Sequence, residues 1–333
     1  LTPSGRAWRN RSSLRILTAA VLRDCPTMVK GIVLAFLAFA VFAWGDALVK
    51  EIGHGLDPFE VTFFGYLIPF LLSPVFMKPG DRLVDLVRWN KPWLMGLRVF
   101  LIAITTPLSV MAFRSLPFAE AFALMFLMPS LVTILSIFVL KEHVRWRRGL
   151  AVCAAFIGVL IIVRPGFKEF LPGHLAALAT ALCSAGGVIT GRMIGHSEKR
   201  FTLIGTVFLA TTLLAGILMI PGFAWPMMHQ WVLLLAFAAT AFVAQALFII
   251  ATLYAPADRL GAAQYSQILW ALAIGALFFN EWPDALALVG IFIVVAAGLF
   301  IFAREQTLKR GQPQGAAPAE PAQPETVAAP IPH

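Results

Sequence analysis

Charged residues are scarce in this chain, and that scarcity excludes an ordinary soluble domain. Asp, Glu, Lys and Arg together make up 13% of its 333 residues, whereas roughly a quarter of a soluble domain is charged. The sequence also lacks a GxxxxGK(S/T) loop, the pattern that cradles nucleotide phosphates, so we expect no ATP-driven step. Cysteine is limited to three residues, two of them inside apolar stretches, which indicates no disulfide framework.

Patterns for metal binding and catalysis are also missing. The six histidines lie mostly in predicted loops or tails and form no HExxH pair, so no metal site and no cofactor are predicted. A membrane enzyme acting on lipid would need converging acids, histidines or a nucleophile near one interface. One loose group of acids exists, Asp46, Asp57, Glu60 and Glu120, and of the histidines only His54 joins it. We therefore expect a protein that is not an enzyme, with a lipid-acting enzyme and an ion channel as alternatives from other classes.

Ten apolar stretches separated by short polar loops run from about Lys30 to Arg304, and hydrophobic residues make up 59% of the chain. Each stretch is close to the roughly 20 residues with which a helix crosses ~30 Å of hydrocarbon. Because an exposed polar backbone is too costly at membrane depth, the stretches are predicted to be helices in contact with the lipid bilayer. The predicted spans are Gly31–Val49, Pro58–Met77, Pro92–Phe113, Pro117–Leu140, Arg148–Val163, His174–Ile194, Thr202–Pro221, Trp231–Tyr254, Leu260–Asn280 and Leu286–Ala303.

Basic residues are distributed unevenly between alternate loops. If the N-terminus is cytoplasmic, the inner loops and tails hold 21 of the 26 lysines and arginines, and the outer loops hold four. This asymmetry predicts a multi-pass protein of the inner membrane with both termini in the cytoplasm. No nucleic-acid partner is expected, because the charges lie in short separate loops and not on one folded surface.

Both ends of the chain differ from its middle. Residues 1–29 are predicted to be a basic cytoplasmic tail, whose weak apolar patch at Ile16–Leu22 is too short for a secretory signal core. Met28 stands just before the first span, so the sequence favours either Met28 as the natural start or an unstructured basic arm. Residues 305–333, rich in Pro, Ala and Gln, are predicted to be a disordered cytoplasmic tail.

An internal repeat connects the two halves of the chain. Pro117 matches Pro256 and Glu142 matches Glu281, each at an offset of 139 residues. A unit of five spans has an odd number of crossings, so the second copy enters the membrane in the opposite orientation. Inverted repeats are typical of secondary transporters, in which two near-equivalent halves alternate around one site. We predict an all-α integral membrane protein with ten transmembrane helices in two inverted five-helix repeats, residues 30–165 and 166–304.

Short motifs in both halves carry a resemblance to a known family. In the first half they are AFRSLPFAEA at Ala112–Ala121, Met128-Pro, Leu140-Lys-Glu and IGVLIIVRPG at Ile157–Gly166. In the second half they are QYSQILW at Gln264–Trp270 and FNEWPD at Phe279–Asp284. These segments resemble the two EamA domains of the drug/metabolite transporter superfamily, over roughly residues 31–303.

The resemblance implies a ten-helix carrier whose third, fourth, eighth and ninth spans line the central path. Similar subgroups carry riboflavin, S-adenosylmethionine or amino acids. One departure concerns the second span, where many relatives place an Arg after a segment like Phe59–Phe64 and this chain has Gly65. The expected function is secondary transport of a small organic metabolite by alternating access. A dedicated importer of riboflavin or S-adenosylmethionine, or an exporter of amino acids or drugs, is the alternative.

Neutral polar side chains of the ninth span are the main substrate-binding candidates. Gln264, Gln267 and Trp270 recur every three residues and share a face of a continuous helix, with Tyr265 beside it. Two amides and an indole can bond to and stack on a planar ligand, although amides can equally hold two helices together. The repeat maps Gln264 and Gln267 onto two methionines of the fourth span. The remaining candidates are Met125, Met128, Gln245 and Trp44.

A second set of residues is predicted to couple or gate transport. Ionisable residues inside a membrane are functional candidates by default, which selects Asp46, Glu120 and Arg98. The alternatives are carboxylates that orient helix ends and an Arg side chain that extends to the interface. Protonation of Glu120 or Asp46 is a hypothesis for coupling transport to pH. Pro107 and Pro129 interrupt their spans and are either hinges or structural kinks.

Two further patterns predict helix packing. Thr105 and Thr106 precede Pro107 and are expected to satisfy the carbonyls that a proline frees. Gly187, Gly191 and Gly195 repeat every four residues at the end of the sixth span, and small residues on one face allow close helix contact. This glycine face is predicted to pack within the chain, with a homodimer contact as the alternative.

Overall fold

The computed structural model describes residues 6–72, 74, 82–142, 146–164, 169, 171–254, 260 and 263–311, with backbone only for residues 6–28 and 304–311 and for positions 148, 196 and 200. Across these ranges all regular structure is helical, with short 3-10 turns at Leu83–Leu86, Gly195–Ser197 and Ile220–Gly222. The helices are α1 Arg6–Gly53, α2 Pro58–Leu72, α3 Pro92–Ser115, α4 Phe118–Met125, α5 Met128–Val139, α6 Trp146–Val163, α7 Pro172–Ile194, α8 Arg200–Leu218, α9 Met228–Tyr254, α10 Ser266–Phe278 and α11 Ala285–Gly311.

Seven helical segments are long and apolar enough to cross a membrane, so the chain is a multi-pass membrane protein. They are Val29–Gly53, Pro92–Ser115, Phe118–Val139, Pro172–Ile194, Phe201–Leu218, Met228–Tyr254 and Ala285–Ala303. Three shorter apolar helices, Pro58–Leu72, Gly149–Val163 and Ser266–Phe278, coincide with the second, fifth and ninth predicted spans. The total of ten crossings stays a prediction.

Helix ends differ from the sequence prediction at both termini. The backbone is already helical at Arg6, where the sequence predicted no regular structure before Met28. At the other end α11 continues past Ala303 to Gly311, into the segment predicted to be disordered. Arg, Leu, Lys and Gln are good helix formers, so a helix can extend beyond its apolar part. The rest of the predicted C-terminal tail lies outside the described residues.

Each helix of the first half packs mainly on a helix of the second half. The principal pairs are α1 with α9, α3 with α7, α2 with α8, α6 with α11 and α4 with α10. Glycines allow the first two pairs to approach closely: a Cβ at Gly45 would lie 3.0 Å from Thr240 Oγ1 on α9, and one at Gly187 would lie 2.9 Å from Ile102 Cγ1 on α3. The predicted glycine face therefore packs on α3 within the chain, at Gly187 and again at Gly191.

The two glutamates of the sequence repeat follow helix ends of the same geometry. The residues just before them, Lys141 and Asn280, have φ of 55° and 52°. The N–H of Glu142 donates to the carbonyl six residues earlier (3.2 Å), and the N–H of Glu281 does the same (2.9 Å). This bond from beyond a left-handed residue is the Schellman helix ending. Each cap places its glutamate directly beyond a membrane helix.

The fourth and ninth predicted spans are both interrupted near their middle. The fourth is divided into α4 and α5 by a turn at Phe126–Leu127, and Pro129, which lacks an N–H, lies in the first turn of α5. In the ninth, a turn at Tyr265 precedes α10. Phe126 and Tyr265 lie at the same offset of 139 residues, and their ring centroids are 5.3 Å apart. The two breaks therefore meet in the interior of the bundle.

The kink of α3 at Pro107 is supported by neighbouring hydroxyls. Thr105 Oγ1 donates to the carbonyl of Ile102 (2.7 Å), and Ser109 Oγ donates to the carbonyl of Thr105 (2.8 Å). Thr106 instead donates to Tyr66 Oη (3.1 Å), which ties α3 to α2. Of the two predicted threonines, one thus satisfies a carbonyl of α3 and the other joins two helices.

Candidate functional site

Two adjoining cavities lie between the halves of the bundle. The first, about 240 Å³ and here called the aromatic chamber, is bounded by α1, α2, α3, α8 and α9. The second, about 220 Å³ and here called the amide chamber, is bounded by α1, α3, α4, α5, α7 and α10, with the turns beside them. Asp46, Ser109 and Phe113 line both cavities, so they form the wall that the chambers share.

The amide chamber brings together most of the predicted substrate-binding residues. Gln264, Tyr265 and Gln267 line it from the break before α10. The opposite side is formed by the break between α4 and α5, where the predicted Met125, Met128 and Pro129 lie. Gln245, also predicted, lines the aromatic chamber instead. The amides thus lie where two interrupted helices meet, and their backbone turns face a cavity, as irregular backbone at membrane depth requires.

Both predicted tryptophans lie outside the chambers. Trp270 packs edge-on against Phe36, with ring centroids 6.0 Å apart. Trp44 is 41% exposed and contacts Phe278 at 4.9 Å between centroids. The sequence prediction assumed one continuous helical face, but the turn at Tyr265 interrupts the helix. The three-residue spacing consequently does not bring Trp270 to the amides.

Three predicted coupling or gating residues also lie beside the chambers without lining them. Arg98 donates a hydrogen bond to the carbonyl of Gly187 on α7, so it supports the packing of α3 on α7. Glu120 is buried in the first turn of α4. Pro107 is buried inside α3, between residues that line the aromatic chamber. Of the predicted charged residues, only Asp46 reaches the cavities.

Aromatic rings form most of the other chamber, and the sequence reasoning did not single them out. A ring from each of α1, α2, α3 and α8 and two from α9 surround the cavity. Gly65 also lines it, and a Cβ there would lie 2.2 Å from Cε1 of Phe237. The absence of a side chain at position 65, which the sequence comparison noticed, is therefore what lets a ring of α9 occupy this wall. The rings are Phe42, Tyr66, Phe113, Phe208, Phe237 and Phe242.

A buried ion pair closes one end of the bundle. Lys50 Nζ lies 2.6 Å from Glu281 Oε1, with the two side chains 4% and 26% exposed. The same ammonium donates to the carbonyl of Leu116 (2.9 Å), and Glu281 Oε2 accepts from the N–H of Phe118 (2.7 Å). The pair thus joins the end of α1, the α3–α4 turn and the segment after α10, and all remaining capacity of the carboxylate is directed inward.

A second pair lies at the other end of the α4–α5 segment. Arg192 on α7 is 3.9 Å from Glu142, and the two side chains are 38% and 44% exposed. At an offset of 142 residues, Lys50 corresponds to Arg192 and the Gly53-His54 pair corresponds to Gly195-His196. Both members of each pair are therefore related by the two offsets of the chain. This alignment of α1 with α7 is the sequence signal that would have identified Lys50 and Arg192.

The amide chamber continues toward the Arg192 end. A third cavity of about 180 Å³ is lined by Arg192, Val188 and Thr133. It shares Gln264, Tyr265, Met128 and Pro129 with the amide chamber. A path of cavities therefore leads from Asp46 past the two helix breaks to the more open ion pair.

Two loops are connected at the surface near Arg192. Glu198 Oε1 accepts from the N–H of Asn90 (2.6 Å) and from the N–H of Lys91 (3.2 Å). Lys199 Nζ donates to Asp85 Oδ2 (2.6 Å), and this hydrogen bond holds the pKa of Asp85 below its usual value of 3.8. These contacts tie the loop before α3 to the loop before α8. Across the described side chains, no group of three or more His, Cys, Asp and Glu is arranged to hold a metal ion.

Comparisons with known proteins assign the chain to a family of carriers. The family model described as "EamA-like transporter family" matches residues 29–164 and 171–303. The S-adenosylmethionine uptake transporter of Rickettsia prowazekii is 25% identical over 284 residues, covering 84% of this chain and 95% of the relative. The pseudopaline exporter CntI of Pseudomonas aeruginosa is 28% identical over 269 residues, covering 80% and 94%.

Two further matches extend this picture. The riboflavin transporter of Rhizobium johnstonii is 28% identical over 259 residues, covering 75% of this chain and 83% of the relative. A crystal structure of an 18% identical protein superposes with a TM-score of 0.57, over 85% of this chain and 99% of that chain. At that identity the match shows a shared fold alone.

Proposed function

The chain belongs to the EamA-like transporter family, and we propose that it is a secondary transporter carrying a small organic metabolite across the inner membrane by alternating access. It is a multi-pass membrane protein. The relatives named above transport S-adenosylmethionine, pseudopaline and riboflavin. These cargoes are small organic molecules, and a solute of that class is the proposed substrate here.

We propose further that ten helices form two inverted halves, residues 30–165 and 166–304. The helix pairing supports this arrangement, because exchanging the two sets of five spans turns the α1–α9 contact into the α7–α3 contact and leaves the other principal pairs unchanged. The shared caps before Glu142 and Glu281 support it as well. Phe118, at the start of α4, bonds to Glu281, whereas Glu142 follows α5 at the far end of the same span.

The observation that carries the mechanism is the place where the cavities lie. Interrupted helices at a repeat interface are typical substrate sites of secondary transporters. Here both interrupted spans belong to opposite halves, touch at Phe126 and Tyr265, and line the amide chamber. A solute bound there contacts both halves at once, so a relative movement of the halves can expose it to either side.

The two ion pairs support one particular state of this cycle. The Lys50–Glu281 pair is short and buried, whereas the Arg192–Glu142 pair is longer and exposed. With the basic loops in the cytoplasm, the closed end faces outward and the cavity path leads inward. In the proposed cycle, binding at the chambers is followed by separation of Lys50 from Glu281 and closure of Arg192 on Glu142.

Counterflow in proteoliposomes tests the transport mechanism. Vesicles containing the full chain are loaded with an unlabelled solute, and uptake of the same labelled solute is measured for S-adenosylmethionine, riboflavin and a mixture of amino acids. A carrier takes up label saturably and faster when the interior is loaded. Non-saturable flux indicates a channel and chemically altered label indicates an enzyme, and either result contradicts the proposal.

Cysteine labelling tests the inversion separately. Trp146 and Ala285 are the first residues of α6 and α11, both exposed and 139 positions apart. Single cysteines at these positions, in a background where Cys25, Cys153 and Cys183 are alanine, should react with a membrane-impermeant maleimide from opposite faces of the membrane. Labelling of both from one face would rule out inverted halves.

A further inference from the structure

The chambers contain a single charged side chain. Asp46 lines both cavities, and every other described residue that lines them is uncharged. Lys50 lies one helical turn further along α1, but its ammonium is engaged by Glu281 and the carbonyl of Leu116. Arg98 is turned to the carbonyl of Gly187 on α7. Among described residues Asp46 therefore has no ion-pair partner, and a carboxylate inside a membrane protein calls for a positive partner.

The surroundings of Asp46 decide what kind of positive partner fits. An inorganic cation such as Ca²⁺ takes six or more oxygen ligands, whereas the aromatic chamber offers one carboxylate among rings. Aromatic faces attract organic cations within about 6 Å of the ring centroid, and clusters of rings recognise quaternary ammonium groups. The six rings that surround the chamber give it this character. Neutral planar ligands would be served by the rings without the carboxylate.

Position 65 keeps this chamber free of a competing charge. Gly65 contributes no side chain, and the edge of the Phe237 ring occupies the volume where a Cβ would start, 2.2 Å from Cε1. A long basic side chain at this position is incompatible with the ring as placed. The ring and the glycine together leave Asp46 as the sole source of charge in the wall.

We propose that the aromatic chamber binds the cationic centre of an organic substrate, a sulfonium or quaternary ammonium group, with Asp46 as its counter-charge. The inference rests on the proposed transport function and names the substrate class for it. Because Asp46 also lines the amide chamber, the same molecule extends its hydrogen-bonding part toward Gln264 and Gln267. The cation contributes affinity through charge and rings, and the amides orient the remainder.

Binding to the purified full chain tests the proposal with pairs of ligands that differ in charge. S-adenosylmethionine is a sulfonium and S-adenosylhomocysteine is its neutral thioether; choline and 3,3-dimethylbutan-1-ol form a second such pair. Calorimetry on the wild type should show the cation of at least one pair binding at least ~10-fold more tightly than its neutral partner, as expected for a desolvated charge pair. In Asp46→Asn that preference should disappear.

Two matched substitutions separate the charge from general effects. Glu51→Gln removes a carboxylate from the exposed face of the same helix and should leave the preference intact. Phe237→Leu should weaken the cation by about threefold to tenfold, whereas Phe100→Leu, at an exposed ring of α3, should not. Thermal unfolding of each variant shows whether it is folded, and Asp46→Asn, which breaks no ion pair, tests the proposal even if Phe237→Leu unfolds.

Several results would overturn the inference without touching the transport mechanism. Equal affinity for the charged and neutral members of both pairs, a preference that survives in Asp46→Asn, or no binding of either cation each contradicts it. Counterflow of riboflavin alone would then show a carrier with a neutral substrate. Conversely, cation binding that depends on Asp46 without counterflow of any solute would contradict the transport proposal and leave the cation site standing.

Discussion

Replacing Glu281 by Gln should open the end of the bundle that the Lys50–Glu281 pair closes. The carboxylate accepts from Lys50 Nζ and from the N–H of Phe118 with different oxygens. An amide has the same shape but only one acceptor oxygen. In Glu281→Gln the buried ammonium therefore faces a neutral group, and one of the two donors loses its partner. Both losses vanish once the end opens and water reaches Lys50.

The size of the effect follows from burial. Breaking a buried ion pair costs about 3–5 kcal/mol, and the partial exposure of Glu281 favours the lower end of that range. Rings of Phe118 and Phe279, 5.9 Å and 5.1 Å from Lys50 Nζ, remain in the variant and act in the same direction. A shift of about 3 kcal/mol changes the ratio of open to closed molecules by about two orders of magnitude.

The assay measures access to the shared wall of the chambers. A cysteine at Ser109, with the three native cysteines replaced by alanine, is treated with an impermeant thiol reagent from the Glu281 side. The reaction rate should rise by up to about two orders of magnitude in Glu281→Gln. Adding Lys50→Met removes the buried unpaired charge and should restore most of the protection.

The second ion pair supplies the matched control. Glu142→Gln breaks a pair that is longer and exposed, for which about 1 kcal/mol or less is expected. Its effect on the labelling of Ser109→Cys from the Glu281 side should be small. An unchanged rate in Glu281→Gln, or an equal increase in Glu142→Gln, would refute the idea that burial of the Lys50 pair holds this end closed.

Two other predictions follow from single contacts. Gly65→Ala places a Cβ against Phe237 and should destabilise the protein by about 1–3 kcal/mol through overpacking, while Gly96→Ala, where a Cβ meets nothing within 4 Å, should not; equal melting temperatures would contradict this. The bond from Lys199 lowers the pKa of Asp85, so the stabilisation it contributes is present above pH 3.8 and is lost as the pH falls through the lowered pKa of the folded state. The melting temperatures of wild type and Asp85→Asn should therefore differ at neutral pH and converge in acid, and a constant difference would disprove the linkage.

Much of the helical framework could be predicted because length and hydropathy are local properties. A long apolar run must be helical in lipid whatever surrounds it, and the helices found at Pro92–Ser115 and Pro172–Ile194 differ from their predicted spans by two residues at an end. The interruption at Phe126–Leu127 was harder to predict. Pro129 indicated a kink, but a proline near the start of a helix and one inside a helix have the same sequence signal.

The candidate site was predictable where a residue type is rare at depth. Gln264, Gln267 and Asp46 stand out in apolar spans, and the structure places all three at the cavities. Phe237 and its neighbouring rings do not stand out, since the chain has 28 phenylalanines. Rings suit lipid, a packed core and a ligand equally well, so composition cannot tell which of them face a chamber.

The sequence alone determined that the chain crosses a membrane as helices and that its halves carry matching glutamates, because span length, polarity and repeat offset are read along one dimension. Only the tertiary structure decided that Lys50 meets Glu281, 231 residues away, that Trp270 lies outside the chambers, and that six rings surround Asp46. The physical reason is the solvent. Lipid is as apolar as a protein interior, so hydrophobicity does not distinguish the inward face of a membrane helix from its outward face, and neighbouring helices alone decide which face becomes the site.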